Sequence, residues 1–393
     1  MSLPESFSAG AASAPALLAP GRPALTHDGL RRLIADTVKQ LNELGIGRGD
    51  RVAIVLPNGP EMAAVFLAVA AGAVTAPLNP AYREEELNFY LTDIGAKAIL
   101  VGREEAGPSV TVAEKLGIAI LRLGVPEGAP AGSFTIDAKA LGPSVATGFA
   151  EPDDIALLLH TSGTTSRPKL VPLSHKNLEA SARHIGETLG LAPDDRCLNI
   201  MPLFHIHGLI AAVLTSLAAR ASVFCTPGFD ALRFFRWLEE AKPTWYTAVP
   251  TMHQAILSRA ARNADAVKAA KLRFIRSSSA SLPPQVMHEL EATFSCPVIE
   301  SYGMTEAAHQ MASNPLPPRG RKPGSVGIAA GPDIAIMAPD GKLMGVDEEG
   351  EIVIRGPNVT DGYVNNPAAN QDAFAHGWFH TGDQGTLDDE GYL

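Results

Sequence analysis

The stretch Thr161-Ser-Gly-Thr-Thr-Ser-Arg-Pro-Lys169 concentrates hydroxyls, one glycine and two cations. Gly163 lets the backbone turn tightly and approach a ligand closely. The hydroxyls of Thr161, Ser162, Thr164 and Thr165 and the loop N–H groups can donate hydrogen bonds, and Arg167 and Lys169 add positive charge at the far end. Oriented N–H groups with nearby cations form an anion nest, and a polyphosphate suits it best. The pattern is not the common P-loop, which has a second glycine before Lys-Ser/Thr; Pro168 takes that place and Leu170 follows the lysine. Other chemistry-bearing residues are Tyr302-Gly-Met-Thr-Glu306, with a ring, a hydroxyl and a carboxylate, and Thr381-Gly-Asp383, with a second carboxylate. Pro202-Leu-Phe-His205 supplies an imidazole, Ser277-Ser-Ser279 a run of hydroxyls, and His309 a further imidazole.

These residues need a scaffold. Ile155-Ala-Leu-Leu-Leu159 is a continuous apolar run and reads as a strand buried on both faces. After the loop, Ser174 is placed to cap a helix with Leu178, Ala182, Ile185 and Leu189 at helical spacing. Strand, phosphate loop and helix together are a recurrent nucleotide cradle. Short apolar strands alternate with helical patterns on both sides of the loop, the sign of doubly wound α/β sheets. From about residue 313 onward, turn signals such as Pro339-Asp340-Gly341 alternate with short strands, an all-β texture. Residues 1–22 read as a poorly ordered arm.

Four motifs in order, residues 161–169, Pro202-Leu-Phe-His205, Tyr302-Gly-Met-Thr-Glu306 and Thr381-Gly-Asp383, resemble those of the adenylate-forming superfamily of acyl-CoA synthetases, luciferases and peptide-synthetase adenylation domains. Ser166 and Leu170 stand where that family usually has glycine. The resemblance covers nearly the whole chain. It implies two doubly wound α/β subdomains, residues 23–190 and 191–312, and a small distorted β-barrel, residues 313–393. It implies ATP, Mg²⁺ and CoA as reactants and cofactors. Thr305 is then expected to hold the α-phosphate and Glu306 to ligate Mg²⁺, a hard cation that takes oxygen. Tyr302 offers a ring for adenine, Asp383 accepts from the ribose hydroxyls, and Ser279, Ala280, Glu300 and Ser301 complete the nucleotide contacts. The family continues into a hinge and a mobile C-terminal domain carrying the adenylation lysine, expected beyond Leu393.

The acyl pocket is read from Ser278 and Ser279, which replace two glycines of the family's usual Ser-Gly-Gly-Ala-Pro-Leu segment, with His205 and His309 nearby in the reading and His207 unassigned. Hydroxyls and imidazoles around a shortened pocket suit a small polar acid better than a fatty chain. Trp245-Tyr-Thr-Ala-Val-Pro-Thr251, the segment around Arg273–Ser281 in numbers 273–281, His309-Gln-Met-Ala-Ser-Asn-Pro-Leu-Pro317 and Arg355-Gly-Pro-Asn-Val-Thr360 are similar to the oxalate–CoA ligase branch. Malonate or acetate are the alternative acids, and a nucleotide-binding fragment without full catalysis is the alternative of another class.

Composition sets the outer bounds. The net charge of −10 argues against nucleic acid or an anionic membrane as partner. Cys197, Cys225 and Cys296 are too few and too widely spaced for a disulfide framework or a zinc set, and read as buried thiols of a cytoplasmic protein. Residues 1–20 lack the basic and apolar regions of a signal peptide. Residues 60–78 form the most apolar window, too short for a comfortable span and flanked by proline, so a buried helix is expected.

Overall fold

The computed structural model describes residues 11–144, 146–161 and 168–393. The apolar runs form two large mixed sheets. The seven-stranded sheet runs Thr135–Asp137, Ala119–Gly124, Ala98–Gly102, Arg51–Val55, Val74–Pro77, Ile155–His160, Leu170–Ser174. Its five inner strands are parallel, and both edge strands are antiparallel. The nine-stranded sheet has a parallel centre of Val298–Met304, Phe274–Ser277, Trp245–Ala248, Arg196–Asn199 and Ser222–Cys225.

One core cluster takes side chains from the facing sides of both sheets, with Val52, Ile54 and Leu157 from one and Trp245, Phe274 and Ile299 from the other. The helices Pro60–Ala70 and His175–Thr188 and the π-helix His207–Leu214 lie in that shared layer. Pro60–Ala70 is buried at every position but Glu61, the behaviour of a helix apolar on all sides. Among the described residues no helix is long and apolar enough to cross a membrane. Separate clusters cover the outer faces: Phe234–Ala241, Pro250–Ala260 and Pro284–Phe294 on the larger sheet, Glu84–Ile94 and Pro108–Leu116 on the smaller. A third, three-stranded antiparallel sheet joins Asp333–Met337, Gly350–Arg355 and Phe379–Gly385. All three cysteines are buried free thiols.

Three local expectations change. Within the arm expected over residues 1–22, the described part is ordered: Pro15–Leu18 pairs in parallel with Ser222–Cys225, and Ala16 and Leu17 are fully buried. Its Ala and Leu bury against an apolar strand, which outweighs the loop-like composition around them. The strand expected at residues 298–299 runs to Met304. The nucleotide cradle expected as strand, loop and helix contains one more strand, Leu170–Ser174, which folds back antiparallel on Ile155–His160. The two described ends of the loop, Thr161 and Lys169, therefore close an antiparallel pair, and the helix capped by Ser174 starts at the opposite end of the return strand.

Candidate active site

Residues 162–167, with the calls Ser162, Gly163, Thr164 and Thr165, lie outside the described residues. The two ends of the loop are defined. Thr161 N–H donates to the Lys169 carbonyl at 3.0 Å, closing the hairpin. Lys169 Nζ sits 4.6 Å from the centre of the Tyr363 ring, a cation–π contact. Tyr363 Oη donates to Glu306 Oε1 at 2.9 Å. Loop lysine and motif carboxylate are thus joined through one aromatic side chain.

The Thr305–Glu306 pair lies on a 3₁₀ turn, Thr305–Ala307, between the antiparallel strands Val298–Met304 and His309–Ser313. This turn is held from outside. Asn358 Nδ2 donates to the carbonyls of Ala307 at 2.8 Å and Gln310 at 3.1 Å. Thr360 N–H donates to the Glu306 carbonyl at 2.7 Å, and Thr360 Oγ1 to Pro172 in the loop's return strand at 2.6 Å. Asn177, on the helix after the loop, donates to the carbonyls of Pro357 and Val359. Residues 357–364 therefore stitch the strand pair that flanks the loop to the Glu306 turn. Burial holds the Glu306 carboxyl above its ordinary range, opposed by the Tyr363 hydroxyl and the Lys169 charge.

Tyr302 and Asp383 meet: the Tyr302 hydroxyl donates to Asp383 Oδ2. Asp383 is exposed and comes from the third sheet, where its N–H donates to Thr381 Oγ1 at 3.1 Å. Glu300 and Ser301 are buried in the strand. Glu300 Oε1 accepts from Leu282 N–H at 2.8 Å, which ties down the loop after Ser279 and Ala280. Ser301 Oγ donates to the Ser277 carbonyl at 3.3 Å.

A second polar group lies beside this one. Ser279 and Ala280 are exposed, at the end of the Phe274–Ser277 strand. Ser279 Oγ is 3.0 Å from His207 Nδ1, and His207 Nε2 is 2.6 Å from Thr247 Oγ1. The His207 and His309 rings stand edge to face with centres 4.9 Å apart. Burial holds both imidazoles well below the ordinary histidine range, and the Arg276 charge lowers them further. His205 is exposed just before the π-helix that carries His207. Gly208 permits this arrangement, since a Cβ there would lie 2.3 Å from the Pro202 carbonyl oxygen. Ser278 is buried, and its hydroxyl donates to the Ser301 carbonyl at 3.0 Å.

Sequence reasoning passed over Tyr363, Thr247, the place of His207 and Arg276. Arg276 had a signal: it is a charged residue at an inward position of an otherwise buried strand, Phe274–Ser277. Tyr363 had none, since its role depends on a contact across the chain from Glu306.

A hairpin whose return strand begins at a lysine, a carboxylate joined to that lysine through Tyr363, a tyrosine–carboxylate pair and a polar cluster of Ser279, His207, Thr247 and His309 are groups suited to joining an acid to a nucleotide. A family model described as AMP-binding enzyme matches residues 6–364. The chain belongs to the AMP-binding enzyme family. It is 46% identical over 387 residues to an oxalate–CoA ligase of Arabidopsis thaliana, covering 96% of this chain and 74% of the plant protein. It is 40% identical to an oxalate–CoA ligase of Saccharomyces cerevisiae, covering 88% of this chain and 68% of the yeast protein. The crystal structure of ATP-bound MatB from Rhodopseudomonas palustris superposes with a TM-score of 0.86 at 30% identity, over all of this chain and 78% of that one. The protein is an acid–CoA ligase of the adenylate-forming kind, with the mixed α/β fold of that family.

Proposed function

We propose that the chain activates oxalate: it joins the acid to the α-phosphate of ATP, releases pyrophosphate, and passes the acyl group to CoA. The observation that carries the choice of acid is the pocket wall. Ser279 at the exposed end and the buried His207, Thr247 and His309 behind it form a polar cluster where a fatty or aromatic acyl group would need apolar lining. Oxalate keeps a carboxylate beyond the reacting one, and hydroxyls and neutral imidazoles can donate to it. The oxalate–CoA ligases of plant and yeast among the relatives support the same reading.

In this reading each site residue has its own task. The hairpin ending at Thr161 and Lys169 takes the β- and γ-phosphates, with the Lys169 ammonium neutralising charge at that end. Thr305 presents its hydroxyl and N–H to the α-phosphate. Tyr302 lays its ring along adenine, and Asp383 exchanges its Tyr302 contact for the ribose hydroxyls. Ser279 and Ala280 flank the nucleotide from the exposed loop, while Glu300 and Ser301 hold that loop in place. His205, at the exposed mouth, orients the reacting carboxylate.

The described residues contain no cluster of three or more acidic, histidine or cysteine ligands. Mg²⁺ that travels with ATP asks little more of the protein than one carboxylate, because phosphates and water fill its other positions. Glu306, one oxygen anchored by Tyr363, fits that request and would hold it. The ion would neutralise developing phosphate charge.

The test is a product assay with ATP, CoA and each acid in turn, read by mass. Oxalyl-CoA from oxalate, with little thioester from malonate or acetate, is expected. Malonyl-CoA as the main product would assign the site to the longer diacid.

A further inference from the structure

The polar pocket wall has a fixed charge behind it. Arg276 is fully buried, yet no carboxylate among the described residues pairs with it. Among the described residues its guanidinium makes one hydrogen bond, from Nη2 to the neutral Gln310 Oε1 at 3.2 Å, and Nε and Nη1 have no partner. The nearby histidines are held neutral by burial. The buried carboxylate of Glu300 does not serve it. In the register Ile299 pairs with Arg276 and Glu300 with Ser277, so Glu300 projects from the other face of the sheet, where it binds Leu282 N–H. Thr247, by contrast, is the register partner of Arg276 on the next strand and shares its face. Thr247 is the residue that His207 contacts on the side away from Ser279. The order from the mouth inward is Ser279, His207, Thr247, with Arg276 alongside Thr247 and in electrostatic reach of both His207 and His309. The nitrogen His309 Nδ1 is likewise buried without a partner.

An unpaired cation buried at this depth is costly to a fold unless something compensates it. We propose that Arg276 is a specificity-determining residue: a built-in counter-charge, matched not within the protein but by the second carboxylate of the acid held against His207 and His309. This rests on the reading of the substrate as a small dicarboxylate. It separates two kinds of discrimination. Pocket shape excludes long acids, whereas Arg276 favours two charges over one at equal size.

Oxalate and oxamate differ in that one respect, since oxamate replaces the second carboxylate by an amide of nearly the same shape. Calorimetric titration of both, with AMP present, reads the effect on the 393-residue chain without requiring thioester formation. The wild type is expected to prefer oxalate by about 10–100-fold, the range of one charge–charge interaction in a partly screened interior. Arg276→Met should reduce the preference to within about 3-fold, with the melting temperature unchanged or raised because an unpaired buried charge is gone. Arg276→Lys should keep most of the preference. Gln310→Glu gives the cation an internal partner and should also erase it, which keeps the proposal testable should Arg276→Met fail to fold.

If the wild type prefers oxalate and Arg276→Met or, where that variant does not fold, Gln310→Glu leaves the oxalate-to-oxamate ratio unchanged, the counter-charge is refuted while the oxalate reading stands. If affinity for both acids falls equally with the melting temperature, Arg276 is a structural residue only, and the proposal is again refuted. A wild type that binds neither acid more tightly than acetate would overturn the oxalate reading itself, and the counter-charge with it.

Discussion

Ser279 adopts a φ of +69°, in the left-handed region that favours glycine. A hydroxyl is retained there at a conformational cost, and its return is the 3.0 Å contact with His207. Ser279→Gly should therefore leave stability unchanged or raise it by up to about 1 kcal/mol, while lowering kcat/KM for oxalate and raising it for longer acids. A melt together with a three-acid kinetic series checks both halves; a destabilised variant with unchanged selectivity would contradict this role. The same trade applies to Glu306. Burial raises its folded pKa above the unfolded value, so an unfavourable contribution to stability grows as the pH rises past the unfolded pKa and is complete above the folded pKa. Below the unfolded pKa both states are protonated and the contribution vanishes. Glu306→Gln should melt at the same or a higher temperature at neutral pH, with any gain fading in acid, and should lose on the order of 10²–10³ in pyrophosphate release. At this scale the motifs named the residues to examine, and the structure brings two of them, Tyr302 and Asp383, into contact. The sequence was silent where partners meet only in three dimensions, as Tyr363 and Glu306 do.

The turn that presents Thr305 and Glu306 depends on one close approach and on the hydrogen bonds of Asn358. A Cβ at Gly303 would lie 2.0 Å from the His309 carbonyl oxygen, so the antiparallel pair can form only with glycine there. Gly303→Ala should cost roughly 1–3 kcal/mol by overpacking and displace His309, which already holds a φ of +106°. Asn358→Ala removes two hydrogen bonds to turn carbonyls and should cost about 1–3 kcal/mol. Denaturant unfolding measures both, and loss of oxalate affinity in Gly303→Ala beyond that in Asn358→Ala would place the effect at His309. Periodicity revealed the helix capped by Ser174 and the buried strand before the loop. It did not reveal Leu170–Ser174 as a strand, because that segment contains Pro172 and reads as a lead-in to the helix. The proline is tolerated because the strand lies at the sheet edge.

Across the molecule, the site lies where pieces of all three sheets meet. The hairpin comes from the smaller sheet, the Ser277–Ser279 run and Tyr302 from the larger, and Asp383 from the three-stranded sheet. The alternation of strands and helices made the two α/β layers readable in advance. The sequence did not show that Pro15–Leu18 would extend the larger sheet beyond Ser222–Cys225, since a four-residue strand without flanking pattern is indistinguishable from a loop. The third sheet contributes one side chain to the nucleotide reading, so its removal is a clean probe: Asp383→Ala should weaken AMP binding by roughly 1–3 kcal/mol in calorimetry, and unchanged affinity would remove Asp383 from the ribose site. The choice of oxalate is the claim on which the account turns, and competition tests it most directly, because acids sharing one enzyme are consumed in proportion to kcat/KM. Oxalate, malonate and acetate at equal concentration with limiting ATP, their adenylates trapped by hydroxylamine and the hydroxamates quantified by mass, should give oxalohydroxamate in excess of the other two combined by about 10-fold or more. A mixture in which the malonate or acetate product equals or exceeds the oxalate product would contradict it.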